Sequence, residues 1–239
     1  MSKKNIDICL TPEMVRLFDF KNKNVVVIDI FRATTTMVAG LANGLSKIIP
    51  VSKLEDCQSY PNSENIIKAA ERGGKKVEGF QFGNSPFDYI ENPNIKDKTL
   101  IMTTTNGTRC INLSKEASNV LIGSFLNITS ICDFLIKDKK DVILFCAGWQ
   151  GHFNLEDTLF AGAVIDQLKN SFDSNSDGVI STEILYQKAK EEGIHNLLKK
   201  SSHYKRLSGF SNHKDIELAL KNDIYNVLPV LKENGITLI

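Results

Sequence analysis

Three stretches of this sequence place carboxylates, guanidinium groups and hydroxyls close together just after apolar runs. The first is Asp29-Ile-Phe-Arg32-Ala-Thr34-Thr35-Thr36. A carboxylate at a strand end, an arginine fork and hydroxyls at a helix start suit a phosphate, because a helix N-terminus offers free N–H groups and a positive dipole end. The same residues also read as a plain helix cap beside a solvated charge. The second stretch, Thr103-Thr-Thr-Asn106-Gly107-Thr108-Arg109, again supplies amides, hydroxyls and a guanidinium. Asn-Gly is a hairpin-turn signal, but Cys110 to Leu113 continues in a way that suits a helix. The third, Cys146-Ala-Gly148-Trp-Gln-Gly151-His152-Phe-Asn154-Leu-Glu156-Asp157, is a glycine-rich loop delivering two adjacent acids. Carboxylate oxygens of this kind suit Mg2+, which takes one or two of them and keeps its other places for water and phosphate. If Asn154 is the N-cap, Glu156 and Asp157 also fall where acids favour a helix start. Cys146 reads either as a thiolate nucleophile or as a small buried hydrophobe.

Two further segments carry motif signals. Gly83-Asn84-Ser85-Pro86-Phe-Asp88 reads as a helix start, with Ser85 as N-cap and Pro86 at N1. Asp173 to Ile184 imitates a calcium loop, yet Ile184 stands where the closing acid belongs, so the segment reads as a polar connection between helices.

Elements must bring these clusters together. Apolar, β-branched runs at 5–10, 24–30, 47–51, 75–78, 99–103, 119–122 and 141–146 read as strands. Between them 35–43 and 62–72 read as helices ending at glycines, 160–168 as a further helical face, and 182–221 as mostly helical. The alternation predicts an α/β fold. In open α/β sheets, ligands bind at the carboxyl ends of strands, so the three clusters are expected to share one cleft. The length allows one domain spanning 1–239, or two lobes around that cleft.

The 29 basic and 28 acidic side chains nearly cancel, giving no reason to expect nucleic acid or an anionic membrane as partner. No stretch has the length of a spanning helix or a signal-peptide core, and five cysteines without a CxxC pair suggest reduced thiols, so a cytoplasmic protein is expected. A homodimer is the base-rate expectation.

In this order, DIFRATTT, GNSP, TTNGTR and CAGxxGxxxxED resemble the 2-phosphosulfolactate phosphatases of coenzyme M biosynthesis. Softer agreement follows in Ser202-His203-Tyr204, Asp215-Ile216 and Val227-Leu-Pro229. The resemblance implies a three-layer α/β/α fold with a largely parallel or mixed central sheet, Mg2+ as cofactor, and hydrolysis of 2-phosphosulfolactate to sulfolactate and phosphate. Such a substrate carries three acidic groups on three carbons, which calls for several donors in a small volume. Arg32, Thr34, Thr35, Thr36, Asn84, Ser85, Asn106, Gly107, Thr108, Arg109 and Gly148 are the candidate substrate ligands. Asp29, Glu156 and Asp157 are the candidate metal ligands, and Asp29, Arg32, Asp157 and Cys146 the candidate catalytic groups. The alternatives are a non-catalytic sensor and a different phosphoryl-transfer enzyme for a small anion, because fold does not fix function.

Overall fold

A computed structural model describes residues 3–209 and 213–239. The first half of the chain runs β1 (Lys4–Cys9), β2 (Asn24–Ile28), α1 (Ala33–Ala42), β3 (Lys47–Pro50), α2 (Leu54–Ser59), β4 (Ile66–Arg72), β5 (Lys75–Lys76), α3 (Phe87–Ile90), β6 (Thr99–Thr103) and α4 (Gly107–Leu113). The second half runs β7 (Asn119–Gly123), α5 (Ile128–Asp138), β8 (Val142–Cys146), α6 (Leu155–Leu168), β9 (Phe172–Asp173), α7 (Asp177–Glu192), α8 (Ile194–Leu198), α9 (Ser202–Ser208), α10 (His213–Ala219), β10 (Pro229–Lys232) and β11 (Gly235–Leu238). The strands form one mixed sheet in the order β5-β4-β6-β3-β11-β10-β7-β2-β8-β1-β9.

β2 shows why the fold has three layers. All five of its residues are buried. Val26 and Ile28 enter a core shared with α5, α6 and α7. Val25 and Val27 point the other way, into a core shared with α1 and α4. A strand covered on both faces has no use for alternating polar residues. Each buried valine contributes about 1.5–3 kcal/mol relative to an exposed one.

Two parallel groups, β7-β2-β8-β1-β9 and β3-β6-β4, are joined by the antiparallel β10–β11 hairpin. Each junction rests on one residue pair, Val230 with Leu121 and Ile236 with Ile48. Followed strand by strand, the second group runs opposite to the first, which in a flat sheet would send β2 and β6 to opposite edges. Their ends nevertheless meet: a Cβ added at Gly107 would lie 2.6 Å from the Ala33 Cβ and 2.9 Å from Asp29 Oδ2. The sheet therefore coils through the hairpin, as five steps of about 20–25° each allow.

The main correction lies at residues 62–72. Composition favours a helix there, but Ile66–Arg72 is a strand paired in parallel with β6. Burial of Ile67, Ala69 and Ala70 against neighbouring strands and helices outweighs weak local propensity. The Lys68 ammonium, donating to Gln58 O at 2.9 Å, fastens this strand to α2. A second correction concerns 173–184, which is no linker between helices: Asp173 belongs to edge strand β9 and Asp177 opens α7. At 83–88 the helix begins at Phe87, one residue later than expected, and the Ser85 hydroxyl binds Asp215 instead of capping it.

Candidate functional site

Asp29 follows β2 directly, and the start of α1 turns back onto it. Ala33 N–H donates to Asp29 Oδ1 at 3.3 Å, and Thr34 N–H to the Asp29 carbonyl at 3.0 Å. The helix-start amides expected for phosphate are thus used by the protein's own carboxylate and turn. The three threonines stitch this turn. Thr34 Oγ1 accepts from Asp29 N–H, Thr35 donates to the Ile30 carbonyl, and Thr36 donates to the Asn84 carbonyl. All three are buried and none lines the cavity beside Asp29.

That cavity is walled by Asp29, Arg32, Glu71, Asn84, Asn106, Trp149 and Arg206, with Phe31, Gly74, Thr105 and Leu207 completing it. Its free space is about 20 Å³, room for a single water or a small cation. Four strand ends contribute: Asp29 from β2, Glu71 from β4, Asn106 after β6 and Trp149 after β8. Asn106 Nδ2 closes the ring by donating to the Gly148 carbonyl at 3.0 Å. Gly148 has φ +60 and would bring a Cβ within 2.4 Å of the His152 carbonyl, so only glycine serves there.

Charge is concentrated here under burial. Arg32, 5% exposed, pairs with buried Asp215 and donates to Gly74 O at 2.8 Å. Ser85 donates to the other Asp215 oxygen at 2.8 Å. Glu71, at the end of β4, accepts from Gly74 N–H at 2.6 Å and from Thr105 N–H at 3.3 Å. Burial pushes the Asp29 carboxyl up to about 6; His203 and the Ala33 amide pull it down, while Glu71 and Glu156 push it further up.

Asp157 and Glu156 take different places. Asp157 Oδ1 accepts from Ile30 N–H at 2.8 Å; Oδ2 accepts from Gly148 N–H at 3.1 Å and Asn154 Nδ2 at 2.9 Å. This carboxylate braces the ends of β2 and β8 against each other. Asn154 also caps α6, as its spacing foretold. Glu156 pairs with His203 Nδ1, leaving Glu156 Oε2 and His203 Nε2 buried without partners among the described residues. The His203 ring stacks on Trp149 at 5.2 Å. Of the three acids expected to hold a metal, only Asp29 lines the cavity. Among the described residues, no group of three or more His, Cys, Asp or Glu is arranged for a metal ion.

A family model described as 2-phosphosulpholactate phosphatase matches residues 9–234. The chain belongs to the 2-phosphosulpholactate phosphatase family. It is 39% identical over 227 residues to a probable 2-phosphosulfolactate phosphatase of Clostridium novyi, covering 94% of this chain and 95% of that one. A protein of the same description from Caldanaerobacter subterraneus subsp. tengcongensis is 37% identical over 221 residues, 91% of each chain. One from Thermotoga petrophila is 38% identical over 214 residues, 90% of this chain and 91% of the relative.

In this member of the family, the expected residues Arg109, Thr108 and Cys146 also stand outside the cavity. Arg109 lies on the exposed side of α4 and pairs with Glu13 at 2.7 Å, because α4 begins at Gly107 and turns Arg109 away. Thr108 exchanges bonds with Thr104, capping the same helix. Cys146 is wholly buried in the core shared with α5 and α6, where burial and the nearby Asp157 charge push its thiol well above the usual range. Conversely, Glu71 and Arg206 line the cavity without a local signal in the sequence. Both were hidden by context: Glu71 sat in a supposed helix, and Arg206 in a lysine-rich helical stretch. Among the described residues, no helix is long and apolar enough to cross a membrane.

Proposed function

We propose that this protein is a Mg2+-dependent phosphatase that hydrolyses 2-phosphosulfolactate to sulfolactate and phosphate in the cytoplasm. The observation that carries the reading is the convergence of Asp29 and Arg32 from one loop, Glu71 from β4 and Arg206 from α9 on one cavity. Burying so many charges is costly unless a bound group repays it, which is why such clusters mark functional sites.

A magnesium ion fits the donor set. Among the described residues, Asp29 Oδ2 makes no hydrogen bond, Glu71 keeps unused lone pairs beside its weak 3.3 Å bonds, and the space between suits one small cation. Two carboxylates are what Mg2+ ordinarily takes from a protein, the rest of its shell being water and phosphate. Asp29 and Glu71 would therefore hold it, in place of the Asp29, Glu156 and Asp157 set read from the sequence. When bound, the ion would neutralise charge on the phosphoryl oxygens.

The remaining work falls to the chain. Arg32 presents a fork already fixed by Asp215 and Gly74, so it meets the phosphoryl group with little loss of side-chain freedom. Asp157 holds the Asp29 and Gly148 loops in register. Water is the attacking group, because Cys146 has no open path to the cavity and its thiol is held protonated. The outer groove lined by Arg32, Lys76, Asn84 and Ser85, of about 370 Å³, shares its wall with the cavity and receives the carboxylate end of the substrate. Purified protein given 2-phosphosulfolactate and other small phosphate esters, with and without Mg2+, tests the reading. Phosphate release selective for 2-phosphosulfolactate supports it; binding without release would make the protein a sensor.

A further inference from the structure

Arg206 reaches the cavity from α9, far along the chain from Asp29 and Arg32. Its guanidinium carbon lies 3.8 Å from the centre of the Trp149 ring. Nη1 donates to the Gly73 carbonyl at 3.0 Å, while Nε is buried and, among the described residues, without a partner. An unsatisfied N–H of a charged group costs more than a neutral one, and a guanidinium has only donors to offer. The missing partner is therefore an acceptor, and an anion suits it best.

The two arginines of the cavity are mounted on the same turn, Arg32 on Gly74 O and Arg206 on Gly73 O. They differ in their charge balance. Arg32 has the Asp215 carboxylate against it. Among the described residues Arg206 makes no ion pair; its guanidinium lies over an indole, with the Glu71 charge stabilising it and Arg32 opposing. Arg32 shares the Asp29 loop and so faces the phosphoryl group. Arg206 stands on another wall and is free for a second acidic group. A planar, weakly hydrated cation on an aromatic face matches a tetrahedral anion of diffuse charge.

We propose that Arg206 binds the sulfonate of the substrate and sets the preference for a sulfonated over an unsulfonated phosphate ester, an inference that rests on the phosphatase reading above. The test compares 2-phosphosulfolactate with 2-phospholactate, which keeps the phosphoryl and carboxylate groups and lacks the sulfonate. Turnover of 2-phosphosulfolactate by the unaltered protein checks the phosphatase reading by itself. In Arg206→Lys and Arg206→Gln, KM for 2-phosphosulfolactate is expected to rise about 10–100-fold, the value of one charge-assisted contact. The rise in KM for 2-phosphosulfolactate should exceed that for 2-phospholactate by at least about 10-fold. An equal rise with both esters, or a loss confined to kcat, would overturn the proposal. Trp149 is the only tryptophan of the chain, so its emission reports binding without turnover. Sulfolactate should change that emission saturably and bind Arg206→Lys about 10-fold or more weakly; equal affinity for both proteins would also overturn the proposal. If the unaltered protein released no phosphate, the phosphatase reading would fall, while this titration would still decide whether Arg206 holds a sulfonate.

Discussion

The cavity at Asp29 and the groove between β3, β7 and the β10–β11 turn are opposites in what they contain. The groove offers about 690 Å³, the cavity about 20 Å³. The charged residues of the groove, Lys115, Lys232 and Glu233, are exposed, so water screens them and they cost nothing to keep. In the cavity Asp29, Arg32 and Glu71 are each 9% exposed or less, and Arg206 is half-buried. Chemistry follows desolvated charge and not volume, because fixed charges act strongly only where water is excluded.

Substitutions on the two sides should separate them sharply. Asp29→Asn is expected to reduce kcat/KM on 2-phosphosulfolactate about 1000-fold, by removing charge that faces the phosphoryl group and its ion, and steady-state kinetics would read it. Arg32→Lys should lower kcat/KM about 10–100-fold, since an ammonium cannot reproduce the bidentate fork. Asp215→Asn leaves the Arg32 guanidinium buried without its counter-charge, so a loss of about 3 kcal/mol in denaturant unfolding is expected, with weaker activity. Unchanged stability would mean that Arg32 is paired elsewhere. Smallest of all, Lys115→Ala and Lys232→Ala in the groove should leave both kinetics and unfolding unaltered within about 0.5 kcal/mol.

The thiols sharpen the same contrast. Burial pushes Cys9 and Cys132 up to about 12 and Cys57 to about 11, and Cys110 and Cys146 are raised as well. A thiol becomes reactive only as pH climbs towards its pKa, so at pH 8 about one Cys9 in 10⁴ is a thiolate. Iodoacetamide should therefore leave the native protein unlabelled at pH 8, and Cys146→Ser should keep more than about a tenth of the activity. Labelled, phosphorylated Cys146 during turnover would restore it as the nucleophile.

What the sequence disclosed, and what it hid, has a physical pattern. The strand ends at Asp29, Asn106 and Gly148 were legible because apolar runs, polar turns and helix starts are local signals, and Asn154 caps α6 as read. Their meeting in one place was legible from α/β topology alone. Glu71 was not legible, because the Lys-Ala-Ala-Glu of β4 carries helical propensity that only pairing with β6 overrides. The β10–β11 hairpin was not legible as strands, and nothing nearby said that it would bridge two parallel groups. Arg109 and Arg206 look alike as letters; one faces solvent beside Glu13 and the other lies on Trp149, a difference set by contacts about a hundred or fewer residues away in sequence.

The most direct test is phosphate release from 2-phosphosulfolactate measured against Mg2+ concentration in the unaltered protein and in Glu71→Gln. Activity should vanish with chelator, return with Mg2+, and need at least about 10-fold more Mg2+ when Glu71 loses its charge. Undiminished hydrolysis in excess chelator, or identical Mg2+ dependence in the two proteins, would contradict the account.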